Sequence, residues 1–300
     1  MAKYLKRFLL NKHYILKKSW QITGVIYGVF GLIALLAPTD QILPEDWKIS
    51  IRIFLSVLIL CAVFILVCLV VFWGTIKKEK VEVLRVQKGK KLFVQYGDLF
   101  DKKIIQDSKG IPSAEKRNII IPVNCCFDTI VDDDLIARDK IHGKAIENLL
   151  TQMSLDELDA KITRALTDKT FVEIKTEQKR KGNLKRYPFG TVVELDAIDD
   201  SRYFLVALTE FNKNLHAEIH NRENYLLVVQ RMIEYIESRS QGLPTILPIV
   251  GGGLSEVSTS EQTILDMLIQ MYKLNIDKIN CDIHIVIREN GKDNIRILGY

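Results

Sequence analysis

The feature that most constrains this chain is a run of 21 residues without a charge, which begins at Ile53 and ends at Trp73. As a helix the run would span roughly 31 Å, which matches the hydrocarbon thickness of a bilayer. The core helix of a soluble protein, the alternative interpretation, rarely stays uncharged over this length. The run therefore predicts a transmembrane helix over about 52–73.

A second apolar run, residues 22–37, lies closer to the N-terminus and predicts a transmembrane helix over about 21–37. A cleaved signal peptide is the alternative, but the run lacks a small-residue cleavage site and a longer span follows it promptly. Gly24, Gly28 and Gly31 form a small-residue face on which helices could associate, although glycine is also common in membrane helices. We expect a membrane hairpin over residues 21–75.

The charges that flank the hairpin predict its topology. Before the first run stand six basic residues and no acidic one, in a segment that we place at 1–20: Lys3, Lys6, Arg7, Lys12, Lys17 and Lys18. Lys77, Lys78 and Lys80 follow the second run, whereas the loop at 38–50 carries Asp40, Glu45 and Asp46. The positive-inside rule then predicts a multi-pass protein of a bacterial inner membrane with both termini in the cytoplasm. A basic patch beside an apolar helix also indicates lipid headgroups rather than nucleic acid as its partner.

The composition changes near Gly74, and residues 80–300 show the patterns of one soluble α/β domain. A capping box at Ser154 predicts a helix start, with Ser154 accepting from the helix amide and Glu157 reaching back. The other predicted helices are 141–153, 222–238 and 261–272. The predicted strands are 81–86, 91–96, 118–124, 171–176, 191–195, 203–209, 245–250 and 282–287. The first two strands look like paired edge strands and the third like a buried one, so the order predicts a sandwich with a mixed sheet.

The sharpest local motif is a glycine triplet, Gly251-Gly252-Gly253, between a predicted strand and Leu254-Ser255. Glycines permit positive φ, so that successive backbone amides can close around an anion such as a diphosphate. A helix N-terminus after the loop would add partial positive charge. A flexible surface turn is the alternative interpretation.

Three further motifs are candidates for ligand contacts. Gly97-Asp98-Leu99 follows a strand, so that its carboxylate could accept from the exocyclic amine of a base, although Gly-Asp is also an ordinary turn dipeptide. Asn124 and Asp128 follow the buried strand, at the edge where ligands collect in open α/β sheets, and both can bond ribose hydroxyls. His142-Gly143-Lys144 opens a helix, where His142 could approach a ligand or cap the helix start.

The five cysteines suggest neither a disulfide framework nor a zinc site. Cys61 and Cys68 lie in the apolar run, the other three lie in or beside strands, and no CxxC or Cys/His ligand spacing occurs. A reducing cytosol suits this distribution. No cofactor or metal is expected from these residues.

In this order and spacing the motifs resemble the macro domain, a three-layer α/β/α fold that binds ADP-ribose. The resemblance covers about residues 80–300. It implies that Asp98 binds adenine, that Asn124 and Asp128 lie at the distal ribose, and that residues 251–253 embrace the diphosphate. The ligand would be ADP-ribose or one of its conjugates.

The chain departs from hydrolytic macro domains at one motif. Those proteins have Asn-Ala-Ala-Asn followed shortly by a glycine triplet, whereas this chain has Asn-Cys-Cys-Phe-Asp-Thr and continues to three aspartates at 132–134. The difference favours a binding module over an enzyme. A hydrolase in which Asp128 or His142 orients water stays open as an alternative.

A membrane hairpin joined to a macro-like domain is similar to the membrane effectors of Thoeris anti-phage systems, and residues 141–144 also look like theirs. The resemblance implies an ADP-ribose-derived signal made by a TIR-domain partner, homo-oligomers, and disruption of the membrane. A membrane-anchored scaffold that binds another protein is the other hypothesis left open.

Overall fold

The structure is a computed structural model that describes residues 2–36, 48–86, 89–106, 110–196, 200–219, 221–251 and 260–300. It divides into two compact units. One comprises Met1–Glu79 with Lys292–Tyr300, and the other comprises Lys80–Gly291. The acidic residues that were expected in the outer loop, Asp40, Glu45 and Asp46, lie outside the described residues.

The first unit is built on two long helices, α1 (Ala2–Leu36) and α2 (Ile49–Ile76). They pack antiparallel, with ring centroids 5.8 Å apart for Phe8 and Phe72 and 6.0 Å apart for Trp20 and Phe64. Among the described residues, α2 is the one helix long and apolar enough to cross a membrane, judged by length and composition. The second predicted span, 21–37, is not confirmed, and its residues up to Leu36 form the end of α1, which also carries the six basic residues.

The C-terminal residues belong to this first unit. Arg7 Nε lies 2.6 Å from Asp293 Oδ1, and Lys292 Nζ lies 2.7 Å from Glu79 Oε2. The hydrogen bond from Arg7 lowers the pKa of Asp293. These ion pairs therefore join the C-terminal residues to the start of α1 and to the segment that follows α2.

The second unit is a mixed sheet with the strand order β1-β2-β10-β9-β3-β7-β6, and a short strand, β8, pairs with β7. The neighbouring strands from β2 to β7 pair parallel, and β1 and β6 pair antiparallel at the two ends. The strands are β1 (Lys80–Arg85), β2 (Lys91–Tyr96), β3 (Arg117–Asn124), β4 (Val172–Glu173), β5 (Lys185–Arg186), β6 (Val192–Asp196), β7 (Ser201–Phe211), β8 (Ala217–Glu218), β9 (Thr245–Pro248) and β10 (Ile283–Ile287).

Helices cover both faces of the sheet. They are α3 (Ile141–Leu150), α4 (Leu155–Ala165), α5 (Arg222–Arg239) and α6 (Glu261–Leu274), with short 3-10 helices at Lys102–Ile105, Ile276–Lys278 and Glu289–Asp293. Ile121 of β3 and Leu205 of β7 pack with α3 and α4 in one core cluster. Phe204 points to the other face, where its ring centroid lies 5.2 Å from that of Tyr235 in α5. The predicted sandwich with a mixed sheet is confirmed.

Three details of the predicted elements were wrong. Strand β2 is an inner strand, since β10 pairs with it on the side away from β1. The predicted strand at 171–176 is reduced to β4, which pairs only with β5 in a separate hairpin. Ser154 Oγ does accept from the amide of Glu157 at 3.2 Å, but the Glu157 carboxylate pairs with Lys161 at 3.0 Å instead of reaching back.

Candidate functional site

Most of the predicted ligand-binding residues that the structure describes gather at one edge of the sheet. Asp98 follows β2, Asn124 ends β3, and Gly251 follows β9, and these three strands all run parallel. The carboxyl ends of parallel strands meet at a single edge, where open α/β folds bind ligands. We call it the carboxyl edge.

Strands β3 and β9 part as they approach this edge. Their pairing covers only Asn118 with Thr245 and Ile119 with Ile246, although β3 continues to Asn124. After β3 the chain passes to α3 on one face, and after β9 it passes to α6, which packs against α5 on the other. A crevice between strands whose connections leave to opposite faces is the usual ligand position in such sheets.

The loop after β2 exposes one carboxylate and buries its neighbour. Asp98 is exposed, and its Oδ1 accepts from the amide of Phe100 at 3.0 Å. Leu99 is buried in the core cluster of α3 and α4. The Leu99 side chain therefore holds the loop in place, and a ligand would meet Asp98 and the backbone.

Arg117, at the start of β3, holds the same loop by hydrogen bonds, and the sequence reasoning missed it. This buried guanidinium donates to the carbonyls of Phe100 at 2.6 Å and Asp101 at 2.8 Å, and its Nε donates to Ser201 Oγ at 3.0 Å. An arginine at the first position of a buried strand is the signal that could have found it, because a buried cation needs acceptors.

The turn after β3 has an uncommon backbone. Phe127 is 1% exposed and adopts φ +50°, a left-handed conformation that a bulky residue seldom takes. The carboxamide oxygen of Asn124 accepts from the amide of Cys126 at 2.9 Å, and the amide of Phe127 donates to the carbonyl of Asn124 at 3.0 Å. Asn124 thus shapes the turn that presents Asp128.

Asp128 is buried with a cation that the sequence reasoning did not pair with it. Lys179 Nζ lies 2.7 Å from Asp128 Oδ2, and the amide of Asn183 donates to Asp128 Oδ1 at 2.6 Å. Burial raises the pKa of Asp128, and the ammonium of Lys179 opposes that shift. Gly182, at φ +85°, packs so closely that a Cβ there would stand 2.3 Å from Asp128 Oδ1. Both carboxylate oxygens therefore already have protein partners.

Two more ion pairs extend this contact outward. Lys181 pairs with Asp132, and Arg180 pairs with Asp134. The hydrogen bond from Lys181 lowers the pKa of Asp132 to about 2. Three consecutive basic residues thus meet the acidic segment that departs from the hydrolytic pattern, and we call this set of three pairs the clasp.

The start of α3 lies against the same turn. Burial lowers the pKa of His142 to about 4, although a hydrogen bond to the backbone of Asp128 opposes the shift. A Cβ on Gly143 would stand 2.3 Å from the carbonyl oxygen of Ala137, whereas Lys144 is exposed. The cap residue Lys140 makes no side-chain cap. His142 is half-buried, and the two roles left open for it, contact with a ligand and capping of the helix start, stay predictions.

The glycine loop is described only at its first residue. Gly251 is buried and adopts φ +89°, which fits the backbone freedom expected of it. Gly252, Gly253, Leu254 and Ser255 lie outside the described residues. At the far end, Ser260 Oγ accepts from the amide of Thr263 at 3.2 Å and caps α6.

Two other features bear on which ligand the domain could hold. Among the described residues, no group of three or more histidine, cysteine, aspartate or glutamate side chains is placed to hold a metal ion. A cavity of about 380 Å³ lies at the opposite, amino-terminal edge, where Arg202 pairs with Glu194. It contains none of the predicted residues, and we place the candidate site at the carboxyl edge.

A mixed sheet between helical layers, with its polar residues at the carboxyl edge, has the architecture of a macro domain. The family model described as Thoeris protein ThsA, Macro domain, matches residues 92–288, so the chain belongs to this family. A relative named Thoeris protein ThsA, from Bacillus amyloliquefaciens (strain Y2), is 26% identical over 197 residues. The match covers 64% of this chain and 59% of the relative, so the chain spans less than two thirds of that protein's length.

Two solved structures are also similar, with low scores. A protein from Bacteroides thetaiotaomicron has a TM-score of 0.36 and 10% identity, with 64% of this chain and 96% of that chain covered. Alphavirus P23pro-zbd has a TM-score of 0.33 and 9% identity, with 74% and 24% covered. Neither likeness carries an argument about function.

Proposed function

We propose that this chain is a membrane-anchored effector of bacterial anti-phage defence. Its macro domain binds an ADP-ribose-derived signal at the carboxyl edge, and its N-terminal helices then disrupt the membrane. The parting of β3 and β9 between Asn124 and Gly251 is the observation that carries the ligand site. Membership of the Thoeris macro family supports the defence role.

The binding mode follows from the chemistry at the edge. The exposed Asp98 accepts from the adenine amine, the amides of residues 251–255 hold the diphosphate, and Asn124 lies near the distal ribose. Asp128, His142, Gly143 and Lys144 form the wall beside that ribose, with Asp128 acting through the turn that it stabilises. The site binds its ligand without turnover.

The membrane role rests on α2, whose apolar side chains face outward along most of its length. In the proposal α1 joins α2 as the second span of an inner-membrane hairpin, with both termini in the cytoplasm. A TIR-domain enzyme supplies the signal, and ligand binding favours homo-oligomers. Ligand can shift that equilibrium only if the associated state binds it more tightly.

Calorimetry of the full chain in detergent micelles against ADP-ribose, its amino-acid conjugates and NAD tests the binding step. Asp98→Ala should weaken binding at least about tenfold, which corresponds to the loss of one hydrogen bond to a charged group. Gly252→Glu should abolish binding, because a carboxylate would repel the diphosphate. Asp277→Ala, an exposed change before β10 at the opposite edge, is the matched control and should bind normally.

Light scattering of the same sample tests the coupling step. The particle mass should rise when ligand saturates the protein, and the Gly252→Glu protein should show no rise. Binding with an unchanged mass would refute the gating step and leave the sensor intact. Absence of binding to every adenosine diphosphoribosyl compound would refute the proposed ligand class.

A further inference from the structure

The inner part of the helical unit combines charge and exposed apolar surface. The basic segment of α1, residues 3–20, has six cations and no carboxylate, and its lysines are exposed. Ile15, Ser19 and Thr23, spaced four residues apart, are buried. By helical spacing Lys17 projects away from this packed face, whereas Lys12 lies on the same side one turn before Ile15 and is exposed there.

A separate stripe of the same segment is apolar and exposed. Leu5, Leu9, Leu16 and Trp20 are 60%, 54%, 44% and 73% exposed, at a spacing that places them on one side of a helix. Apolar side chains and lysines at one level of a helix suit the boundary between acyl chains and headgroups.

The register of the two helices brings the end of α2 to the same level. Phe8 lies beside Phe72 and Trp20 beside Phe64, so the residues of α2 between 64 and 73 run along the basic segment. There α2 exposes Leu66, Leu69 and Val70 by 62%, 51% and 65%. One level of the unit thus carries both exposed apolar side chains and exposed lysines.

In the proposed hairpin this register sets the basic segment of α1 beside the inner end of α2. Between Ile53 and Phe64, α2 covers only about 17 Å before it meets the level of Trp20, whereas the hydrocarbon core is about 30 Å thick. Lys17 and Lys18 would then lie within the level of the apolar span. Lysines at such depth reach for the headgroups with their long side chains.

We propose that the basic segment of α1 and the adjoining end of α2, residues 64–73, form a docking surface for anionic lipid headgroups. The apolar stripe enters the acyl boundary, and Lys12, Lys17 and Lys18 bind lipid phosphates. Complementary charge selects the partner, because a zwitterionic surface offers these cations no net attraction. The inference deepens the membrane role proposed above and rests on α2 as the anchor.

The test uses the full chain with Trp47→Phe and Trp73→Phe, so that Trp20 is the sole tryptophan. The protein is reconstituted into vesicles of phosphatidylcholine alone or of phosphatidylcholine with phosphatidylglycerol. In the anionic vesicles Trp20 should be quenched by brominated lipid and shielded from iodide. In neutral vesicles the shielding should be lost.

Two triple variants in this background make the test specific to the lysines. Changing Lys12, Lys17 and Lys18 to Gln should shift the docking equilibrium by about 100-fold, since each lysine near an anionic surface contributes roughly a factor of five. Changing Lys161, Lys169 and Lys213 to Gln removes the same charge from exposed positions of the other unit and should leave docking unchanged.

Equal shielding of Trp20 in both kinds of vesicle, or equal behaviour of the two triple variants, would overturn the docking surface. Resistance to alkaline extraction tests separately whether α2 holds the protein in the membrane. A protein that is washed out of both vesicle types would refute the membrane role itself, whereas one that resists extraction but shows no dependence on lipid charge would refute only this inference.

Discussion

The buried pair of Lys179 and Asp128 is the most exacting requirement of the candidate site, because neither charge has water as a substitute partner. Lys179→Met leaves a buried carboxylate unpaired, and we expect the free energy of unfolding to fall by about 3–5 kcal/mol in chemical denaturation. Lys181→Met, which breaks an exposed pair of the clasp, should cost at most about 1 kcal/mol. Adding Asp128→Asn to Lys179→Met should recover much of the loss, and equal effects of the two lysine changes would contradict the assignment.

His142 should make the free energy of unfolding depend on pH. Its folded pKa is lowered to about 4, so the unfolded chain binds more protons between that value and the ordinary pKa of 6.5. The contribution of His142 to the free energy of unfolding is therefore fully present above about pH 6.5 and is lost as the pH falls toward 4. Thermal melting across this range should show a shallower slope for His142→Gln than for the parent, and parallel curves would show that the imidazole is not desolvated in the fold.

At the scale of the element, the packing of α3 depends on the absence of one side chain. By helix propensity alone Gly143→Ala should stabilise α3 by about 1 kcal/mol. Because the new Cβ would meet the carbonyl oxygen of Ala137, we expect instead a destabilisation of roughly 1–3 kcal/mol and a shift of the helix start. Lys144→Ala, at an exposed position of the same helix, is the control in chemical denaturation and should be nearly neutral.

Periodic elements could be predicted from the sequence, whereas cross-chain pairings could not. The hydrophobic pattern of β3 and the hydroxyl cap at Ser154 are local, and both were placed within a few residues. The position of the motifs at the carboxyl edge could be predicted as well, since it depends only on the direction of the strands. The partners of Asp128 and the acceptors of Arg117 lie on distant segments, and no spacing rule connects them. The start of α1 was missed because the basic residues interrupt its apolar pattern.

At the scale of the whole molecule, anchoring should depend on α2. Ile59→Arg places a charge near the middle of the span, and insertion there costs about 3 kcal/mol. Membrane fractions should then release more protein on alkaline extraction. Leu274→Arg, at a residue that is 78% exposed in the other unit, provides the same chemical change and should not alter extraction. Equal retention of both variants would show that α2 does not hold the chain in the membrane.

The pair of Lys179 and Asp128 also determines when the domain can complete its fold during translation. Its members are 51 positions apart, and α3 and α4 lie between them. A ribosome must therefore deliver both helices, and the stretch through Asn183, before the turn at Asp128 can take its final form. The domain can acquire a finished pocket only late in translation, well after the apolar N-terminal helices have emerged and become available to the insertion machinery.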